Sequence, residues 1–149
     1  MIQHNFNLFN KKFEIDKLKI VSSNSWIWSL RPKQPTLGSS IVSLKRSSHS
    51  FSDVTNEEMA DLAHLIKQLE KTMMLAFDYD VMNYLMLMMV DKHVHYHVIP
   101  RYKQTRQFMG LGWFDKGWPT LPNLSDNQHS DELNILVKIQ HELTHMLNN

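Results

Sequence analysis

From His93 to Tyr102 the chain reads His-Val-His-Tyr-His-Val-Ile-Pro-Arg-Tyr, with histidine at every second position at its start. Such alternation of β-prone residues predicts a strand. Strand side chains point to opposite faces with period 2, so His93, His95 and His97 share one face, with successive Cα atoms about 6.5 Å apart. Val94, Tyr96 and Val98 take the other face. One buried histidine is ordinarily a satisfied core residue, but three imidazoles in a row are costly unless each finds a partner or a ligand. Near neutral pH an imidazole can be nucleophile, acid, base or metal ligand. The row is therefore the candidate site around which the chain is organised.

His93 through Ile99 fills the pattern His-φ-His-φ-His-φ-φ, with φ apolar, and so resembles the signature of the histidine triad (HIT) family. A looser resemblance runs from about Trp26 to Tyr102, through two strands, a long helix and a hairpin ending in the histidines. It implies an α+β fold: a HIT-like antiparallel sheet of about five strands with a long helix packed on it, followed by a C-terminal helix. It also implies a homodimer. The implied function is a nucleotide-binding phosphohydrolase or nucleotidyl transferase that attacks the α-phosphate of a nucleotide conjugate, a dinucleoside polyphosphate or a phosphoramidate. In that reading His95 is the nucleophile and forms a covalent nucleotidyl-histidine. His97 contacts the phosphate and His93 positions and screens. No cofactor or metal is required, because imidazole donors can stabilise charge on the phosphate oxygens.

This sequence departs from the family pattern at several places. The strand predicted over 38–44 begins Gly38-Ser39 where the family has Gly-His, so Ser39 occupies the histidine's place. Arg31 falls near the position of the carboxylate that holds the ribose hydroxyls. His49 lies just beyond Lys45-Arg46, near the place of a fourth active-site histidine. The apolar run 83–90 predicts a central strand. A two-residue turn at Asp91-Lys92 would then pair Val90 with His93 and Met88 with His95, leaving Met86, Met88 and Val90 under the histidine face. In that arrangement the family's polar loop before the triad has shrunk to Asp91 and Lys92. Those two residues then take over its contacts to substrate, the C-terminal segment does, or catalysis is weak.

Elsewhere the pattern is plainer. Residues 1–12 predict an irregular or short helical lead-in. Lys17–Val21 and Ser25–Leu30 predict strands joined by Ser22-Ser23-Asn24, with Trp26, Trp28 and Leu30 on one packing face. Thr55-Asn56-Glu57-Glu58 is a capping box, and Met59, Leu62, Ile66, Leu69 and Met73 follow as one apolar stripe. His64 falls off it. Segment 103–149 carries an aromatic, loop-rich stretch that covers the site or makes a dimer contact, then a helix capped by Ser130-Asp131-Glu132 and carrying Leu133, Leu136, Val137, Gln140 and Leu143. A chain of 149 residues, 42% of them apolar, predicts one domain over 1–149, with a core at about 17–102.

Composition excludes more than it selects. With no cysteine there are no disulfides or thiolate sites, and with four glycines there is no phosphate-cradling glycine loop. A net charge of +1 gives no bulk attraction for nucleic acid. No leader-like or membrane-spanning run is present, so a cytoplasmic protein without membrane contact is expected.

His141-Glu142-Leu143-Thr144-His145 matches the zinc-protease string His-Glu-x-x-His, yet only four residues remain beyond it to supply a third ligand, so that ligand would have to come from upstream. His93 and His97 are about 13 Å apart at Cα on one strand, too far for three triad imidazoles to close a good tetrahedron. Two readings stand beside the HIT enzyme: a metal-dependent hydrolase using either histidine cluster, and a non-enzymatic nucleotide-binding or dimeric module.

Overall fold

The computed structural model describes residues 1–149. Five strands form one antiparallel sheet: β1 at Lys19–Ser22, β2 at Trp26–Leu30, β3 at Ser40–Leu44, β4 at Val81–Leu85 and β5 at His95–Arg101, in the spatial order β1-β2-β3-β5-β4. Helix α1 spans Ile2–Lys12, α2 Asn56–Phe77 and α3 Ile135–Leu147. A short hairpin of β6, Arg106–Phe108, and β7, Leu111–Trp113, lies in the stretch expected to be all loop. The architecture is the α+β arrangement that the triad signature implies.

Period 2 divides the sheet into two unlike faces. One carries Trp26, Trp28, Leu30, Val42, Leu44 and Val98, all at most 1% exposed, and packs under α2 and α3 in the main core. Each such large apolar side chain contributes about 1.5–3 kcal/mol when fully buried. The tryptophans are core residues, as their spacing suggests, and each finds an acceptor: Trp26 donates to the Glu58 carbonyl at 2.8 Å and Trp28 to the Ser40 hydroxyl at 3.0 Å. The opposite face carries Ile27, Ser29, Ile41, Ser43, His95 and His97, and α1 lies over it through Phe9 and Phe13.

Helix α2 starts at the expected capping box. Glu58 N–H donates to the Thr55 hydroxyl at 3.1 Å and Thr55 N–H to the Glu58 carboxylate at 2.9 Å. Arg46 grips the same carboxylate at 2.7 and 2.9 Å and, as the leading cause, holds it down at about 2. The end of β3 is thereby tied to the start of α2 through an Arg46 side chain that stays nearly half exposed. Leu62, Leu69 and Met73 are buried as expected, but Leu65 and Phe77 complete the stripe while Met59 is exposed, because the contact line drifts along the helix. His64 is exposed. At Gly38, φ is +88° and a Cβ would lie 3.1 Å from Met73 and Phe77, so only glycine enters β3 there without strain.

The run 83–90 departs from expectation. β4 is an edge strand, not a central one, and it ends at Leu85; residues 86–94 form a loop rather than a tight turn at Asp91-Lys92. Leu85 pairs with His97 and Tyr84 with Val98, a register one residue away from the expected pairing of Val90 with His93 and Met88 with His95. One residue of slip exchanges the faces. Met86 and Met88 accordingly pack toward the helix-side core, and Val90 is 81% exposed instead of flooring the histidines. The cause is visible at the start of β5: Val94 N–H donates to the Ser48 carbonyl at 2.8 Å and its carbonyl accepts from Leu44 N–H at 3.1 Å, drawing this segment toward β3 and away from β4.

Helix α3 begins later than its acidic signal suggested, after Asn134 at φ 59°, and buries Ile135, Ile139 and Leu143. Leu133 precedes the helix, and both it and Val137 are exposed. No helix is long and apolar enough to cross a membrane.

Candidate active site

His95 and His97 project from β5 onto the α1 side of the sheet, opposite Ser43 and Ile41 of β3. Their rings stand 5.0 Å apart at an interplanar angle of 82°. His93 precedes the strand rather than belonging to it, but it remains on the same side. Its ring lies 4.7 Å from Phe6 and 5.0 Å from Phe9, while Phe9 is 4.8 Å from His95 and Phe13 is 6.0 Å from His97. Ile2, Phe6, Phe9 and Phe13 recur at steps of four, three and four, a helical stripe that marks the lead-in as a cover for this face.

The three imidazoles are in different states. His93 has a carbonyl at each nitrogen, Leu44 at 2.8 Å from Nε2 and Ser48 at 3.1 Å from Nδ1. Burial lowers its pKa despite those two acceptors. His95 makes a short Nδ1–H bond to the His93 carbonyl. That bond places the proton on Nδ1 and leaves the Nε2 lone pair available, with no partner in the protein. Burial also lowers the His95 pKa, keeping the ring neutral at pH 7. His97 Nδ1 is buried without a hydrogen bond, and burial, followed by Arg31, His95 and Lys12, pushes its pKa down to about 3.

A cleft of about 530 Å³ opens at the His97 end, lined by Lys12, Phe13, Arg31, Lys33, Asp91 and Leu124 among others. Asp91 accepts two hydrogen bonds from Lys12, both at 2.9 Å, so the end of α1 is clasped to loop 86–94. Lys92 lines a neighbouring cleft with Asn5, Phe9 and Lys12. Ser39 is fully buried on the histidine side, but its hydroxyl is spent on Thr36. His49 is exposed and makes no ring contact with the triad; the neighbouring Ser48 carbonyl meets His93 instead.

The clearest match comes from the sequence itself: a sequence profile of the HIT domain covers residues 12–104. The chain belongs to the HIT family. Solved structures share the fold at low identity. A hypothetical histidine triad nucleotide-binding protein from Sulfolobus tokodaii superposes with a TM-score of 0.72 at 17% identity, covering 98% of this chain and 92% of its own. A zinc-bound histidine triad family protein from Mycobacterium smegmatis gives 0.61 at 17% identity over 88% and 84% of the two chains. A histidine triad protein from Marinobacter aquaeolei gives 0.59 at 20% identity over 91% and 93%. No curated protein sequence matches the chain.

Set in this HIT fold, the His-Glu-x-x-His string of α3 has both histidines exposed, on a helix packed against α2 and β1. No group of three His, Asp or Glu side chains is placed to converge on an ion. Sequence reasoning missed the cover, although Phe6, Phe9 and Phe13 were visible as a stripe; it set Arg31 near the ribose position by resemblance, and the fold puts that residue in one cleft with His97.

Proposed function

We propose that the chain is a histidine triad nucleotide hydrolase or nucleotidyl transferase with His95 as nucleophile. The observation carrying this reading is the His95 hydrogen bond: Nδ1–H is held by the His93 carbonyl, so Nε2 carries the lone pair in a ring that burial keeps neutral. A neutral imidazole attacks without prior loss of a proton. Nε2 forms a bond to the α-phosphorus as the bond to the leaving group breaks; the leaving group departs with that electron pair and takes a proton from solvent. The ring then carries positive charge, which strengthens its bond to the His93 carbonyl. Water attacks next and gives up a proton to solvent, the phosphorus–nitrogen bond breaks with its electron pair returning to Nε2, and the nucleotide leaves with His95 neutral again.

His97 is the flanking group that meets phosphate, since its ring borders the cleft and Nδ1 has no protein partner. His93 acts through the backbone, because both its nitrogens face carbonyls. Asp91 and Lys92, with Lys12 opposite, line the approach. His95 is only 1% exposed, so the Phe9 and Phe13 cover gives way as substrate enters.

A second reading, a binding module without turnover, is favoured by loop 86–94, whose Met86, Leu87, Met88, Met89 and Val90 offer no side-chain hydrogen bond to a leaving group. One experiment separates the readings: diadenosine tetraphosphate and adenosine phosphoramidate are incubated with wild type and His95→Ala, with and without EDTA, following AMP and protein-bound adenylate. Chelator-resistant turnover that disappears in His95→Ala supports the nucleophile. Nucleotide binding without AMP release favours the module, and turnover lost to EDTA overturns the mechanism in favour of a metal.

A further inference from the structure

Two arginines of this chain are almost fully buried, and they are treated differently. Arg101, 4% exposed, is gripped by Asp115 at 2.7 and 3.0 Å and donates to Asn83 at 2.8 Å. Arg31, 7% exposed, meets no carboxylate. One terminal nitrogen donates to the Leu124 carbonyl at 3.1 Å and weakly to the Lys33 carbonyl at 3.4 Å, and Nε is buried with no partner at all. Buried charges are ordinarily paired, because an isolated one loses its hydration without compensation. Desolvation is severe enough to lower the Arg31 pKa to about 10.

Arg31 follows β2 on the histidine side of the sheet and lines the cleft beside His97. Lys33, also without an ion pair, and Lys12 line the same cleft. Its one carboxylate, Asp91, is taken by Lys12. The cleft thus presents a guanidinium with unused donors and a free ammonium next to the triad, a pairing suited to a dianionic phosphate.

We infer that the cleft beside His97 binds a second phosphate group of the ligand on Arg31 and Lys33, so that the preferred nucleotide carries a phosphate in addition to the one that meets His95. This rests on the proposed nucleotide reading and adds a specificity-determining residue to it. The second phosphate can be borne by the sugar or by the phosphate chain, and the two are separable.

The test is a calorimetric titration of wild type, Arg31→Gln, Arg31→Lys and Lys33→Ala with AMP, ADP, adenosine 2′,5′-bisphosphate and adenosine 3′,5′-bisphosphate. At least one doubly phosphorylated probe should bind about tenfold or more tighter than AMP. Arg31→Gln should reduce that ratio below about threefold, with Arg31→Lys between the two. Lys33→Ala alters only an exposed side chain, so it repeats the test in a folded protein, and it should lower the ratio by about two- to threefold. A gain for either bisphosphate assigns the group to the sugar; a gain for ADP assigns it to the chain. A wild-type ratio near one, or a ratio unchanged in both Arg31→Gln and Lys33→Ala, overturns the inference while AMP binding leaves the nucleotide reading standing. No binding of any of the four overturns both.

Discussion

The two ends of the histidine row contrast in how they are satisfied. At the His93 end both ring nitrogens face backbone carbonyls, and Phe6 and Phe9 close over the ring. At the His97 end a ring nitrogen is buried without a partner and a cleft with cationic walls begins. His95 lies between, its proton taken up by the closed end and its other nitrogen free. A row of chemically identical side chains thus becomes a ring set between two carbonyls, a ring with a free Nε2 and a ring with an unpartnered Nδ1. The sheet sets their order, and neighbouring carbonyls and burial set their states.

The largest effect expected from breaking this contrast is at its centre. His95→Ala should lower turnover of a nucleotide conjugate by at least about 10³-fold, roughly 4 kcal/mol of barrier, with the far-ultraviolet circular dichroism unchanged. Activity within tenfold of wild type would move the nucleophile elsewhere.

The His93 end should fail in stability rather than chemistry alone. His93→Ala leaves a buried carbonyl without its donor and should cost about 1–3 kcal/mol in urea denaturation. His97→Gln retains a polar group at a site whose Nδ1 already lacks a partner, and should shift stability by less than about 1 kcal/mol. Equal losses in the two variants would erase the distinction between the ends.

The same division governs what is legible in the sequence. The helix-side face follows short-range rules: alternating tryptophans, a capping box at Thr55 and Glu58, and leucines at helical spacing. The sharing of one side by His93, His95 and His97 is equally local. Loop 86–94 was not legible, because its methionines suit either face and the deciding contacts, Val94 to Ser48 and Leu44, are distant in sequence. Resemblance set Arg31 near the ribose position, but its sharing of a cleft with His97 was not legible, because β2, α1 and Leu124 meet there only in the folded chain.

Acidification sharpens the comparison further. Burial lowers all three triad pKa values, to about 3 for His97, so the folded chain keeps these rings neutral where the unfolded chain binds protons. A depressed histidine pKa means that stability is fully present above about 6.5 and is lost as pH falls toward the folded value. Between pH 6.5 and 4 the slope should reach at most about 1.4 kcal/mol per pH unit for each ring, and His97→Gln should remove its share. Denaturation midpoints independent of pH across that window would contradict the neutral, buried triad.

The smallest expected effect tests the clasp between the two halves of the cover. Lys12 is half exposed and Asp91 about one-fifth exposed, so their ion pair sits where water screens it. Lys12→Ala should therefore change global stability by less than about 1 kcal/mol, and less still in high salt. Its local effect should be clearer. Hydrogen exchange should quicken in α1 and in residues 86–94 but not in β3 or β5, because the pair joins a helix end to a loop and carries no part of the sheet. Quickening throughout the sheet would mean that α1 belongs to the cooperative core, and that His95 cannot be uncovered without unfolding the strand that bears it.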